Sequence, residues 1–251
     1  MSAPVRILHL YPRELGINGD AGNVTALVKR AEWRGLEATV HHHDVGDELV
    51  TAVDIIHIGS GPLSSQRIVH EDVLRIAAAL RELASSGVPL LAVAGGWQLL
   101  GHQLVTSDGE TLAGAGVFPS LATLGTERHV GEVVVDSADG VLAGFENHSA
   151  ATVLDAGSEP LGTVVEGFGN GADPTGRRVE GVRVGESVGT HLHGPVLPMN
   201  PVLADRMLAA ALALRGEELP QPISRELSGA DGFAANARRA IAQRTGARTA
   251  R

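Results

Sequence analysis

An apolar run that stops at a pair of glycines constrains this chain more than any other feature. Residues 88–100 read Val-Pro-Leu-Leu-Ala-Val-Ala-Gly-Gly-Trp-Gln-Leu-Leu. The run up to Val93 has the length and branching of a buried strand, and Gly95 and Gly96 let the backbone turn at once into a helix. Such an elbow lifts one side chain above the end of a sheet and aims backbone N–H groups at the same point, the geometry that presents a nucleophile and steadies an oxyanion. The raised residue here is Ala94. The geometry of a nucleophile is therefore read in a chain whose side chain at that point is a methyl group.

The rest of the chain supports a parallel sheet around that elbow. Short β-branched runs at 5–10, 37–42, 53–58 and 88–93 alternate with helical patterns at 23–34, 70–86 and after Gly96. This alternation predicts an α/β fold with a mostly parallel sheet covered by helices on both faces. Between 117 and 165 the pattern changes to strict alternation, as in Gly131-Glu132-Val133-Val134-Val135-Asp136, with a turn signal at Ala138-Asp139-Gly140. That predicts antiparallel strands and hairpins added to the sheet. Further strands are expected at 179–184 and 187–192, and a strong helix at 201–215. One large domain over 1–215 is expected, followed by an extension over 216–251 with a peripheral helix near 232–243 and about eight disordered residues at the end.

Charge and composition exclude several classes of function. The formal net charge of −9 is spread along the chain, whereas phosphate neutralisation needs clustered Lys and Arg, so nucleic acid is not an expected partner. The chain has no cysteine, which rules out disulfides, thiolate metal sites and a thiol nucleophile. Neither a signal-peptide pattern at the N-terminus nor an apolar run of about 18 residues is present, so no membrane span and a cytoplasmic location are expected.

Four segments could carry chemistry beside the elbow. In Gly189-Thr190-His191-Leu192-His193-Gly194-Pro195, a strand ends in turn residues, and a histidine at that end points into the crevice where open α/β sheets bind ligands. His193 is the candidate general base for a nucleophile at position 94. The turn Gly59-Ser60-Gly61-Pro62 ends another central strand, where small residues let backbone amides approach a ligand. Arg128 can clamp a carboxylate with its planar fork. The tract His41-His42-His43-Asp44 resembles a metal motif, but successive strand residues face opposite sides, so only His41 and His43 can act together. Gly167-Phe168-Gly169-Asn170-Gly171 is too short for a dinucleotide fingerprint and reads as a loop around the rim of the site. A serine hydrolase using Ser60 or Ser64 is disfavoured because neither sits on the elbow.

Seven stretches taken in order give these residues a family. They are Leu10-Tyr11-Pro12, Gly19-Asp20-Ala21-Gly22-Asn23, Lys29 to Gly35, the elbow with Gln98-Leu99-Leu100-Gly101, Gly144 to His148, Gly167 to Asn170, and Leu192-His193-Gly194-Pro195. Over residues 5–215 the chain resembles the class I glutamine amidotransferases of the cobyric-acid-synthase (CobB/CobQ) type, which have a flavodoxin-like fold. Within them it is most similar to the GatD group, the glutaminase subunits of lipid II isoglutaminyl synthase. The resemblance implies a cytoplasmic subunit that hydrolyses L-glutamine through a cysteine and a histidine. It passes ammonia to a Mur-ligase-like partner of the MurT type, which amidates D-glutamate in the peptidoglycan stem peptide. It implies no cofactor in this subunit, ATP and metal belonging to the ligase. Carried over by position, the cysteine falls on Ala94, the histidine on His193 and the glutamine-holding arginine on Arg128. Gly95 and the Gly59–Gly61 turn would supply oxyanion amides, and Gln98 would line the pocket. Most class I relatives place a glutamate two residues after the histidine; here that position is Pro195, and the resemblance implies a third member supplied by the ligase.

Ala94 departs from that pattern and predicts no thiol-based turnover, since losing a covalent nucleophile costs several orders of magnitude. Two readings of the departure stay open: a cysteine-to-alanine substitution in an otherwise active glutaminase, and a natural pseudo-amidotransferase that binds and stabilises the ligase. A cobyric-acid-type amidotransferase is the alternative within the same fold; those domains are usually fused to an ATP-binding synthetase domain.

Overall fold

The computed structural model describes residues 3–173, 175–221 and 224–246. In chain order the elements are β1 (Val5–Leu10), a 3-10 turn (Ile17–Gly19), α1 (Ala21–Glu32), β2 (Ala38–His43), β3 (Ile55–Ile58), α2 (Leu63–Ser85), β4 (Leu90–Val93) and α3 (Gly95–Leu100). There follow β5 (Gln103–Val105), β6 (Thr111–Ala113), the long hairpin β7 (Ser120–Ser137) and β8 (Gly140–Leu154), β9 (Gly162–Glu166), β10 (Gly171–Ala172) and β11 (Arg178–Glu180). The chain continues through β12 (Val182–Val184), β13 (Ser187–Thr190), α4 (Val196–Met199), α5 (Pro201–Ala213) and α6 (Arg225–Thr245).

The first sheet has six strands in the order β12-β13-β4-β3-β1-β2. All neighbours run parallel except β12, which pairs antiparallel with β13. Its central strands are buried on both faces, which is why they read as unbroken apolar runs rather than alternating ones. On one face α2 packs Val69, Val73, Ile76, Ala77 and Leu80, residues whose spacing puts them on one side of a helix. On the other face Leu27 of α1 and Leu203, Met207 and Leu208 of α5 close the core.

The alternating region builds a second sheet of seven strands rather than widening the first. Its spine is the β7–β8 hairpin, which turns at Ala138–Asp139 as the sequence predicts and carries a register shift between Leu124 and His129. Val133 and Val135 face the core shared with α1 and α5, whereas Val134 and Ala143 face Ile241 of α6. Helix α6 is therefore packed against the hairpin, and Asp231 on it pairs with Arg30 of α1 at 2.6 Å.

Several helix boundaries differ from the sequence expectation for identifiable reasons. Helix α2 starts at Leu63, directly after Pro62, and not near residue 70, because its polar first turns carry no apolar period. Helix α6 begins at Arg225, with the Ser224 side chain accepting from the Leu227 amide. Gly229 and Gly232 inside it hide its first turns from a propensity reading. At the C-terminal end Arg244 and Thr245 are helical and Gly246 closes the helix in the left-handed conformation, while the remaining residues of the expected disordered end lie outside the described ones. None of the helices is long and apolar enough to cross a membrane, among the described residues.

Candidate active site

The elbow is present, and its backbone is strained. Ala94 has φ 41° and ψ −102°, a conformation that costs a residue bearing a Cβ about 1–3 kcal/mol. The surroundings impose it. The Ala94 N–H donates to the Thr190 carbonyl at 2.8 Å, and its own carbonyl accepts from the Gln98 amide at 2.9 Å. The two following residues must be small because the end of β3 is pressed against them. A Cβ on Gly96 would sit 2.5 Å from the Gly59 oxygen and 2.9 Å from the Ile58 oxygen, and one on Gly95 would sit 2.9 Å from the Gly61 oxygen.

Ala94 opens into a cavity of about 180 Å³, below the ~300–1,000 Å³ of drug-sized pockets and suited to a ligand the size of an amino acid. Gly61, Gly95, Gln98 and Arg128, four residues singled out from the sequence, line it together with Ala94. Gln98 is buried, and its Oε1 accepts from Gln66 Nε2 at 3.0 Å; the same nitrogen donates to the Gly61 carbonyl at 3.1 Å. The Gly95 N–H points at the Ser60 hydroxyl at 3.4 Å. Ser60 also lines the cavity, but no imidazole lies within hydrogen-bond distance of its hydroxyl, and Ser64 is not part of the lining.

Arg128 comes from the irregular stretch of the β7–β8 hairpin and reaches the cavity from the second sheet. It is exposed. Its Nε donates to Asn147 Oδ1 at 2.7 Å and its Nη2 to the Asn147 carbonyl at 3.1 Å. Among the described residues it pairs with no carboxylate. The guanidinium is thus oriented and left with its charge unneutralised beside the cavity.

His193 follows β13 and is buried, its main chain bridging both ways to Phe145. Its Nδ1 lies 3.1 Å from Oδ1 of Asp20, which is fully buried, and its Nε2 has no hydrogen-bond partner. His193 is not among the residues that line the cavity.

The remaining sequence candidates lie elsewhere. His43 Nε2 is 2.9 Å from Asp72 Oδ2, an oxygen that also accepts from the Tyr11 hydroxyl at 2.8 Å. Three hydrogen-bonding partners and Arg75 outweigh burial and hold the Asp72 carboxyl down at about 2. Among the described residues no group of three or more His, Cys, Asp or Glu side chains could hold a metal ion. The segment 167–171 is not on the cavity rim. Its Phe168 and Gly169 amides cap the buried Glu146 carboxylate, each at 2.9 Å.

Sequence reasoning missed Gln66, Asn18, Asn147 and His148, all of which line the cavity. Asn147 and His148 stood inside a recognised stretch without a role. Gln66 carried one usable signal, its place in the first turn of the helix that follows the Gly59–Pro62 turn.

A search against family models matches residues 6–201 to the CobB/CobQ-like glutamine amidotransferase domain. Among curated proteins, the chain is similar to the lipid II isoglutaminyl synthase (glutamine-hydrolyzing) subunit GatD of Staphylococcus aureus strain N315, with 33% identity over 212 residues. These cover 84% of this chain and 85% of that protein. It also matches the cobyric acid synthase of Desulforudis audaxviator at 33% identity, but over only 46% of this chain and 24% of that protein. Among solved structures, a glutamine amidotransferase from Thermotoga maritima superposes with a TM-score of 0.52 at 13% identity, covering 97% of this chain and 99% of that one, which speaks for the fold. With a family model spanning most of the sequence and a relative matched nearly end to end, this chain belongs to the CobB/CobQ-like glutamine amidotransferase family.

Proposed function

We propose that the chain is the GatD-type subunit of a lipid II isoglutaminyl synthase, working in the cytoplasm beside an ATP-dependent, Mur-ligase-like partner, and that with Ala94 it holds glutamine without hydrolysing it. The observation that carries this reading is the elbow. A strained Ala94 lines a small cavity together with the Gly95 backbone and the Arg128 guanidinium, which has no carboxylate partner among the described residues. The near full-length similarity to a GatD subunit, against a quarter-length match to a cobyric acid synthase, favours the cell-wall substrate over the corrin one.

In this reading the Arg128 fork takes the α-carboxylate of glutamine, and Asn147 holds that fork in plane. The carboxamide lies over Ala94, with its carbonyl oxygen toward the Gly95 N–H. In a cysteine-bearing relative the thiol would give its proton to His193 and attack the carboxamide carbon. Ammonia would leave and water would then release glutamate. Here no atom at position 94 can make that bond.

The test is glutamate release from glutamine by this chain and by its Ala94→Cys variant, each mixed with the ligase. Activity in the variant alone is the expected outcome. If both stay silent in a complex shown to form, the site has lost more than its nucleophile and the subunit is a structural one. Release by the unmodified chain would overturn the assignment of Ala94 altogether.

A further inference from the structure

We infer that Gln66 is the positioning residue for Gln98: it fixes which end of the Gln98 amide faces the cavity, and so gives the wall beside Ala94 a hydrogen-bond donor for a ligand oxygen. The inference deepens the glutamine-binding reading above and rests on it for the identity of the ligand.

The polarity of both amides starts at a main-chain atom. The Gly61 carbonyl belongs to the turn after β3, which is pressed against the elbow: a Cβ on Gly95 would sit 2.9 Å from that oxygen and 3.0 Å from Gln66 Nε2. A carbonyl can only accept, so the buried Gln66 amide turns its nitrogen to it, at 3.1 Å. That nitrogen has a second proton, and it goes to Gln98 Oε1 at 3.0 Å. Turning the Gln98 amide over would set its nitrogen against Gln66 Nε2, donor against donor. Turning Gln66 over would set its oxygen against the Gly61 oxygen, acceptor against acceptor. Neither alternative pairs, so each side chain is held to one orientation.

The free ends of the two amides differ in reach. Gln66 Oε1 is buried without a partner, closed to a ligand atom, so Gln66 acts on a ligand only through Gln98. Gln98 Nε2 is the opposite case. Among the described residues no acceptor takes its protons, it is not one of the polar atoms buried without a partner, and its residue lines the cavity. Its N–H bonds are therefore open to the cavity.

The place of that donor gives it a use. Gln98 stands one helical turn after Ala94, with its main-chain N–H bonded to the Ala94 carbonyl at 2.9 Å, so the donor is set at the elbow and not at the exposed rim that carries Arg128. Among the described residues no Asp or Glu lines the cavity. The Gly95 N–H, Gln98 Nε2 and the Arg128 fork make a wall of donors, which suits a ligand that turns its oxygens inward. In the glutamine reading, the oxygen at the elbow is that of the carboxamide.

The primary test needs no ligand. In the unmodified, nitrogen-15-labelled chain, proton exchange is read for the two side-chain NH₂ groups, each assigned through its own backbone. The Gln66 NH₂, with both protons engaged, is expected to exchange at least ~10-fold more slowly than the open Gln98 NH₂. Equal protection of the two, or the reverse order, overturns the inference. Calorimetry then reads the consequence: Gln66→Met and Gln98→Met are each expected to weaken glutamine binding ~2–10-fold, the worth of one hydrogen bond. Gln66→Met is also expected to lower the melting temperature, since it takes a donor from the Gly61 carbonyl, and a loss of stability alone does not reproduce the next result. The double variant is expected to bind no more weakly than Gln98→Met, because Gln66 acts through Gln98. Additive losses overturn the inference. If Gln66→Met fails to fold, the exchange comparison in the unmodified chain decides by itself. If glutamine does not bind the unmodified chain, the functional reading fails while the exchange result still stands or falls on its own.

Discussion

The two sheets that meet at the cavity hold their residues in opposite ways. On the first sheet, Ala94, Gly95 and Gln98 are buried, fixed by main-chain hydrogen bonds and by glycines with no room for a Cβ. On the second, Arg128 is exposed and Asn147 only partly buried, and side-chain hydrogen bonds orient them. Backbone geometry is costly to alter and suits a point where bonds break. Side chains at a rim can be exchanged without unfolding the molecule, which suits recognition. Changes on the first sheet should therefore appear as stability, and changes on the second as affinity.

Gly96→Ala tests the first half of that contrast and should have the largest effect. The added methyl meets main-chain oxygens of Gly59 and Ile58, which cannot move aside, as well as the buried Ile58 side chain. We expect a loss of about 3 kcal/mol or more in urea unfolding, at the upper end of overpacking costs. A loss below about 1 kcal/mol would mean that the β3 turn yields, and the elbow would not be rigid.

Glu180 crosses between the sheets, and its titration sharpens the contrast. It is fully buried on β11, and Oε1 accepts from Thr190 Oγ1 at 2.6 Å and from the His191 N–H at 2.7 Å on the segment leading to His193. Burial raises its carboxyl to about 7 against those hydrogen bonds. Between an unfolded value near 4.5 and about 7 the folded chain keeps a proton that the unfolded chain releases, so this group lowers stability as pH rises through that window and adds no slope above it. Glu180→Gln should therefore gain stability relative to the parent on going from about pH 5 to about pH 8, by up to ~3 kcal/mol at ~1.4 kcal/mol per unit. Thermal unfolding of both proteins across that range measures the difference. A constant difference would show that Glu180 is ionised throughout.

How far the sequence could be read follows the same division. The strands of the first sheet and the elbow are set by unbroken apolar runs and glycines, which are local signals, and they stand where the pattern puts them; His193 follows β13 but does not line the cavity. Asp20 and Gln66 act over 173 and 32 residues of separation, and no local pattern in a single chain reports such a pairing. The start of α6 was hidden by two glycines whose cost is met by the packing of Ile241 on the hairpin. The second sheet was legible as alternation, but not its separation from the first, because alternation tells which residues face inward and not which sheet receives them.

The second half of the contrast concerns Arg128. Removing an exposed guanidinium should leave the melting temperature within about a degree of the parent, because its removal buries no unpaired group. Losing a charge-assisted clamp on a carboxylate should weaken glutamine binding by ~10–100-fold, or about 1.5–3 kcal/mol. Calorimetry of Arg128→Ala with glutamine, in the chain as it stands, reads this directly because Ala94 leaves the ligand intact. Unchanged binding would place the carboxylate elsewhere in the cavity.

Asn147→Ala should give the smallest effect and the most specific one. Asn147 takes two hydrogen bonds from Arg128 and gives one, at 3.3 Å, to Asn18 Oδ1 on the turn before Asp20. Only the two side-chain bonds disappear in alanine, since the main-chain acceptor of Arg128 Nη2 stays. At ~0.5–1.5 kcal/mol for a hydrogen bond, the expected loss in glutamine affinity is ~2–10-fold, with stability unchanged. If the second sheet contributes recognition alone, combining Asn147→Ala with Arg128→Ala should weaken binding no further than Arg128→Ala does, because Asn147 acts through the guanidinium. Additive losses would instead mean that Asn147 touches glutamine itself.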